Sequence, residues 1–258
     1  VLRLTSLGSG SGGNALVVEA ADGRCRSRVL VDNGFNLRQL ERRLQRAGLG
    51  CADLDAVFVT HEHSDHVVGV ATLARRHRLP VYCSFGTAAA AALEARDVAF
   101  TGIACGEVVT IGALAVTAYG VPHDAAEPLQ FTFTDGARRA GLLTDAGEAT
   151  DDMLAALDRV HALVLECNHD AQMLRAGAYP PFLKARIAGT RGHLSNEQAA
   201  GLLAALDRRN LQWVVAAHLS RSNNAPPLAQ AALAAVLDAK PGDVVVADQD
   251  EGFGWREA

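Results

Sequence analysis

The run Thr60-His61-Glu62-His63-Ser64-Asp65-His66 constrains this chain more than any other stretch, because it sets three imidazoles and two carboxylates within six consecutive positions. It follows an apolar stretch at 55–59 and precedes a segment of helical spacing, which places it on a strand-to-helix loop. Such a loop can aim alternate side chains into one pocket. Neutral imidazole and carboxylate suit zinc, manganese or iron, whereas a structural zinc cage would be richer in cysteine. A polar, solvated helix start would account for an isolated histidine, but it accounts poorly for His-x-His-x-Asp-His.

Around this motif, short runs rich in Val, Leu and Ile recur at 2–7, 16–19, 29–31, 56–60, 114–118, 129–133, 162–166 and 213–216. Bounded by Gly, Asp or Asn, they are predicted strands. Segments 37–47, 67–76, 196–208 and 228–237 have helical spacing. Asn36 and Ser195 are candidate N-caps, and Gln198 stands three residues after Ser195 as a capping box requires. Strands in series at the start and middle, with helices between others, predict an α/β fold of layered sheets covered by helices. No Pro-, Gly- or Ser-rich linker divides residues 1–258, so one domain is expected. The glycines at 8–13 are not followed by Lys-Ser or Lys-Thr and lead into a strand, which favours a tight hairpin over a phosphate loop.

Composition narrows the partners and the compartment. Hydrophobic residues make up 49% and charged residues 21% of the chain, which argues for an ordered core rather than disorder. A net charge of −5 supplies no global field for a polyanion, so nucleic-acid binding would need local positive charge or metal ions. Cys25, Cys51, Cys83, Cys105 and Cys167 are odd in number and contain no Cys-x-x-Cys pair, which predicts reduced thiols. The opening residues lack the apolar stretch of a signal peptide or membrane span, so a cytoplasmic protein is expected; Val1 in place of Met leaves a trimmed leader open.

His-x-His-x-Asp-His after a strand resembles the signature of the metallo-β-lactamase superfamily, and the later motifs of that family appear in order. Asp32 in Val31-Asp32-Asn33-Gly34 looks like its early structural aspartate. His123 in Val121-Pro122-His123-Asp124, Asp145 in Leu143-Thr144-Asp145-Ala146-Gly147 and His218 in Ala217-His218-Leu219-Ser220 look like its remaining ligand positions. The resemblance spans essentially the whole chain and implies a four-layer αββα sandwich. It also implies two divalent metal ions, zinc foremost with manganese or iron also suited. His61, His63 and His123 would hold one ion, Asp65, His66 and His218 the other, and Asp145 would span both. An aspartate at 145, where the best-known lactamases carry cysteine, makes antibiotic hydrolysis the lesser expectation.

Glu166 and His193, the latter in Gly192-His193-Leu194-Ser195, resemble an acid and a histidine that the tRNase Z and β-CASP nucleases set beside their metals. A carboxylate there would fix the imidazole tautomer and leave the other nitrogen as a general acid. The interval from His123 to Asp145 is too short for the tRNase Z arm, and that from Glu166 to His193 cannot hold a β-CASP domain. The opening SLGSGSGGN, with ECNHD, YPPFLKARI and GHLSN, resembles the compact YycJ- or WalJ-like branch. That resemblance implies a 5′-to-3′ DNA exonuclease in which the ions activate a water, Asp65 orients it, and His193 protonates the departing oxygen. Ser220, Arg221 and Asn223 are candidate phosphate-binding residues, as are Arg186, Arg191 and Asn224, although an ordinary surface role is the stronger expectation for the arginines and Ser220, Asn223 and Asn224 could merely close a turn. His169 could support the site or merely its loop. Alternatives are a metal-dependent hydrolase of a small ester, thioester, lactone or cyclic phosphodiester, and a redox or sensory metal protein. Glu166 with His193 favours a phosphodiesterase acting on DNA or another phosphodiester.

Overall fold

The computed structural model describes residues 1–23 and 25–258. Strands β1 (Leu2–Gly8), β2 (Ala15–Ala21), β3 (Arg26–Val31), β4 (Ala56–Phe58), β5 (Val81–Cys83) and β6 (Phe100–Gly102) belong to a first sheet. Strands β7 (Val108–Ile111), β8 (Leu114–Gly120), β9 (Leu129–Thr134), β10 (Arg139–Leu143), β11 (Ala162–Glu166), β12 (Trp213–Ala217) and β13 (Val245–Val246) form the second. The last strand, β14 (Phe253–Glu257), returns to the first sheet and pairs antiparallel with β1.

Alternation along the strands explains why their sequences are nearly continuous apolar runs. In β11, Ala162 and Val164 face the space between the sheets, while Leu163 and Leu165 face a helical layer. In β3, Val29 and Val31 point inward between the sheets and Leu30 points outward. A strand buried on both faces must be apolar at both parities. The central core includes Phe58, Phe131 and Phe133, with Phe58 edge-on to Phe131 at 5.4 Å between ring centroids.

Helices α1 (Leu37–Arg46), α2 (Ser64–Val67), α3 (Val70–His77) and α4 (Phe85–Ala90) follow strands of the first sheet. Leu40 and Leu44 of α1 and Val70 and Leu73 of α3 cover its outer face. Helices α5 (Asp151–Leu157), α6 (Ala171–Ala176), α7 (Pro181–Ile187), α8 (Asn196–Ala205) and α9 (Pro226–Leu237) follow strands of the second. Met153, Leu157, Leu202, Leu203 and Leu233 cover that sheet. The result is the expected αββα order of layers. Both capping boxes form, Asn36 with Gln39 and Ser195 with Gln198. Residues 9–14 close the β1–β2 hairpin, where Gly13 has φ 144° and packs so tightly that a Cβ would lie 2.5 Å from the Phe35 ring.

Strands β3 to β6 run parallel to one another, as do β10 to β13, and β8 shares the direction of β10 because each is antiparallel to β9. Their carboxyl ends gather at one edge of the sandwich, the place where sheets of this kind expose functional loops. None of the helices among the described residues is long and apolar enough to cross a membrane. All five cysteines are unpaired.

Candidate metal centre

Six of the residues expected to converge lie at or just beyond the end of a strand, while Asp65 and His66 sit on α2 and His193 on the loop between α7 and α8. Asp32 follows β3, His61 lies three residues beyond β4, His123 three beyond β8, Asp145 two beyond β10, Glu166 ends β11 and His218 follows β12. Asp32, Asp145 and His218 take φ values of 60°, 54° and 56°, a left-handed region that Asp and His enter more readily than branched residues. These sharp exits swing each side chain into a common pocket, at a backbone cost of about 1 kcal/mol or more each.

Asp32 organises the histidine motif from behind. Its Oδ1 accepts the Thr60 amide at 2.8 Å, and its Oδ2 accepts the Thr60 hydroxyl and His66 Nδ1, both at 2.8 Å. Donation from His66 Nδ1 leaves Nε2 as the nitrogen presented to the pocket, 3.2 Å from Asp145 Oδ2. Thr60 Oγ1 is also 3.0 Å from His61 Nδ1, which turns His61 Nε2 inward. His123 is held by Gly192, whose carbonyl lies 3.0 Å from Nδ1, so its Nε2 meets His63 Nδ1 at 3.3 Å.

Donor atoms of His61, His63 and His123 form one cluster within 4.8 Å, and those of Asp65, His66 and His218 form a second. Asp145 reaches both groups, with Oδ1 3.9 Å from His123 Nε2 and Oδ2 beside His66. The donor set fits divalent cations on three counts. Among the described residues, His61 Nε2 and His218 Nε2 are buried with no hydrogen-bond partner. His123 and His63 aim imidazole nitrogens at each other. Finally, the pocket is short of positive charge: burial depresses His66 and His218, yet Asp145 and neighbouring carboxylates outweigh it, raising His66 well above its ordinary value and His218 to about 10. A buried pocket that favours positive charge in this way suits cations. Asp145 stays ionised because His218 and His66 overcome the cost of its burial.

Glu166 is fully buried and serves two histidines. Its Oε1 lies 2.8 Å from His193 Nδ1 and 3.2 Å from His218 Nδ1, while Oε2 accepts the amides of Ala146 and Leu194. Burial would raise its pKa, but His193 and His218 lower it to about 2. His193 in turn is pushed down by burial and up more strongly by Glu166, so its net pKa is raised. Sequence reasoning paired Glu166 with His193 alone; the structure adds His218, because β11 and β12 are parallel neighbours with Glu166 opposite Ala217 in register.

The cluster opens into a cleft of about 260 Å³ lined by Ser11, His63, Asp65, Asp124, Asp145, Tyr179, Leu183, Arg186, Ile187, Gly192, His193 and His218. Ser220, Arg221 and Asn223 do not line it. Arg221 pairs with Asp250 at 2.6 Å, the Ser220 hydroxyl accepts the Asn223 amide, and Asn224 binds Asn196 and the Cys167 carbonyl. The polar atoms in this turn hold the loop after β12 instead of facing the cleft. Arg186 does line the cleft and pairs with Asp124, whereas Arg191 donates to the His123 carbonyl. His169 lies outside the cluster, buried, and its Nδ1 has no hydrogen-bond partner among the described residues.

Sequence reasoning missed Asn14, Ser9 and Asp124. Asn14 Nδ2 lies 3.3 Å from Asp65 Oδ2 and 3.1 Å from His66 Nε2, and Ser9 Oγ accepts the His218 amide at 2.9 Å. The signal available was the SGSGGN run itself, whose glycines bring the hairpin against the motif.

This sandwich, with its acid and histidine cluster at the strand ends, defines a class, and the chain belongs to the beta-lactamase superfamily, whose domain profile matches residues 27–218. Within it, the chain is 37% identical to exodeoxyribonuclease YycJ of Bacillus anthracis over 263 residues, covering 100% of this chain and 93% of that protein. It is 33% identical to exodeoxyribonuclease WalJ of Streptococcus pneumoniae over 232 residues, covering 88% of this chain and 85% of that protein. The metallo-beta-lactamase fold protein YhfI from Bacillus subtilis shares the fold, with a TM-score of 0.73 at 17% identity, over 100% of this chain and 99% of that one.

Proposed function

We propose that this protein is a metal-dependent DNA exonuclease working from the 5′ end, built as one domain and acting in the cytoplasm. The observation that carries the reading is the Glu166–His193 pair beside a cluster of divalent-metal donors, in a chain resembling two exodeoxyribonucleases along most of its length. His61, His63 and His123 would hold one ion and Asp65, His66 and His218 another, with Asp145 shared; zinc suits these donors best, and manganese or iron also fit. When bound, such ions supply an acidified water and neutralise charge on the phosphoryl oxygens.

The chain's own residues do the rest. Asp65, fixed by Asn14, offers a carboxylate oxygen at the cleft to orient the attacking water. Glu166 keeps a proton on His193 Nδ1, so the protonated ring presents Nε2–H toward the leaving oxygen. Tyr179, Leu183 and Ile187 give the cleft an apolar wall beside that acid. Free thiols accord with a reducing compartment.

The test is a panel of substrates offered to purified protein with zinc or manganese: 5′-labelled duplex DNA, single-stranded DNA, RNA, bis-p-nitrophenyl phosphate and a thioester. Release of nucleotides from the 5′ end of DNA is expected. Turnover of the thioester alone would reject the nuclease reading.

A further inference from the structure

Far from the candidate metal centre, three unlike donors converge on the outer face of the first sheet. Glu41 lies midway along α1, Cys51 opens the short 3-10 turn Cys51–Asp53 before β4, and His77 is the last residue of α3. Since α3 starts beside the histidine motif and runs away from it, its eight residues carry His77 roughly 12 Å along the helix axis. The cluster thus lies toward the edge opposite the strand ends that gather the other histidines.

The ligand-capable atoms of Glu41, Cys51 and His77 all lie within 4.8 Å of one another. Among the described residues His77 Nε2, a buried atom, has no hydrogen-bond partner, an arrangement that is unfavourable unless something satisfies it. Cys51 is only 5% exposed. Burial raises its thiol pKa and the Glu41 charge raises it further, while Arg76 offsets only part of this. A half-buried carboxylate, a buried thiol and an inward-pointing imidazole nitrogen therefore share one small volume.

We infer that Glu41, Cys51 and His77 form a second, separate site for a zinc ion. Sulfur, nitrogen and oxygen donors together suit a borderline cation such as zinc better than magnesium or calcium. Binding displaces the Cys51 proton to solvent and leaves thiolate and carboxylate to balance the charge of the ion. Three protein donors leave the fourth tetrahedral position to water. The ion joins α1 to the far end of α3, and so braces the two helices that flank the motif loop.

Cobalt reports on this site without interference from the candidate metal centre, whose donors are all nitrogen and oxygen. Titration of the full-length protein with Co²⁺ is expected to produce a near-ultraviolet thiolate-to-cobalt charge-transfer band. Cys51→Ala is expected to lack the band and to bind one cobalt fewer than wild type. His77→Gln, which keeps a side chain of similar size at the partly buried end of α3, is expected to weaken the cobalt binding read from that band by at least about tenfold, the lower bound for losing even an outer partner of a metal ligand. Absence of the band in wild type, its survival in Cys51→Ala, or a His77→Gln titration matching wild type would each overturn the inference. Should Cys51→Ala fail to fold by circular dichroism, the His77→Gln titration decides the matter alone.

Discussion

Replacement of His193 by alanine probes the chemistry most selectively. Glu166 holds His193 Nδ1 at 2.8 Å and raises the pKa of the ring, so the protonated form that can donate from Nε2 persists to higher pH than an ordinary histidine would allow. General-acid assistance contributes 10²- to 10⁴-fold, so His193→Ala should lose at least about a hundredfold in kcat on DNA, or ~2.7 kcal/mol of transition-state stabilisation. A sugar hydroxyl leaves poorly without a proton, whereas p-nitrophenolate leaves well without one. The same variant should therefore lose far less on bis-p-nitrophenyl phosphate. In wild type the DNA rate should fall as pH rises through the raised His193 pKa, because deprotonation removes the donor, and the variant should not show that fall. The assays are steady-state kinetics on both substrates across pH, with metal content measured in parallel. Equal losses on the two substrates would refute the proton-donor role, and loss of metal from the variant would make His193 a ligand.

Two further outcomes test the scaffold. Glu19 is 3% exposed and bonds Arg3 and Arg28 at 2.7 and 2.6 Å; burial raises its pKa, but these arginines outweigh it and the net shift is downward. Its stabilisation is present above the unfolded carboxylate pKa and lost as pH falls through the folded value, so Glu19→Gln should cost about 1–3 kcal/mol in urea unfolding at neutral pH and progressively less in acid. A pH-independent difference would exclude the ionic account. Phe131 has no exposed surface and sits between the sheets, so Phe131→Ala should cost about 3–5 kcal/mol by the same measurement, and a cost below about 1 kcal/mol would contradict the packing described.

The parts legible in the sequence share a physical reason. Strands such as β1, β9 and β11 carry five or more apolar or alternating residues between clear breakers, and the helices α1 and α8 announce themselves through their caps. Strands β5 and β6 are three residues long, too short for alternation to register, and they exist because β4 offers β5 a parallel edge and β5 in turn offers one to β6. The polar sequence of β14 gives no strand signal; it is recruited by pairing with β1 across nearly the full chain. Helix α7 has no fully buried residue, and its i,i+4 apolar pair, Leu183 and Ile187, is too short a stripe to register. The helix read at 67–76 is divided in the structure: residues 64–67 of the motif form a separate turn that presents Asp65 and His66, and α3 starts at Val70. Spacing could name the histidines and aspartates of the site, but not Asn14 or Ser9, whose roles depend on a hairpin folding over the motif.

Anomalous diffraction at the zinc edge from crystals grown with zinc bears most directly on the idea that distant side chains gather to hold two ions. At the strand ends the expected map has one peak ringed by His61, His63 and His123 and a neighbouring peak ringed by Asp65, His66 and His218, with an Asp145 oxygen touching both, apart from any zinc held by Glu41, Cys51 and His77. A single peak at the strand ends, or His123, Asp145 and His218 turned away from the peaks, would contradict it.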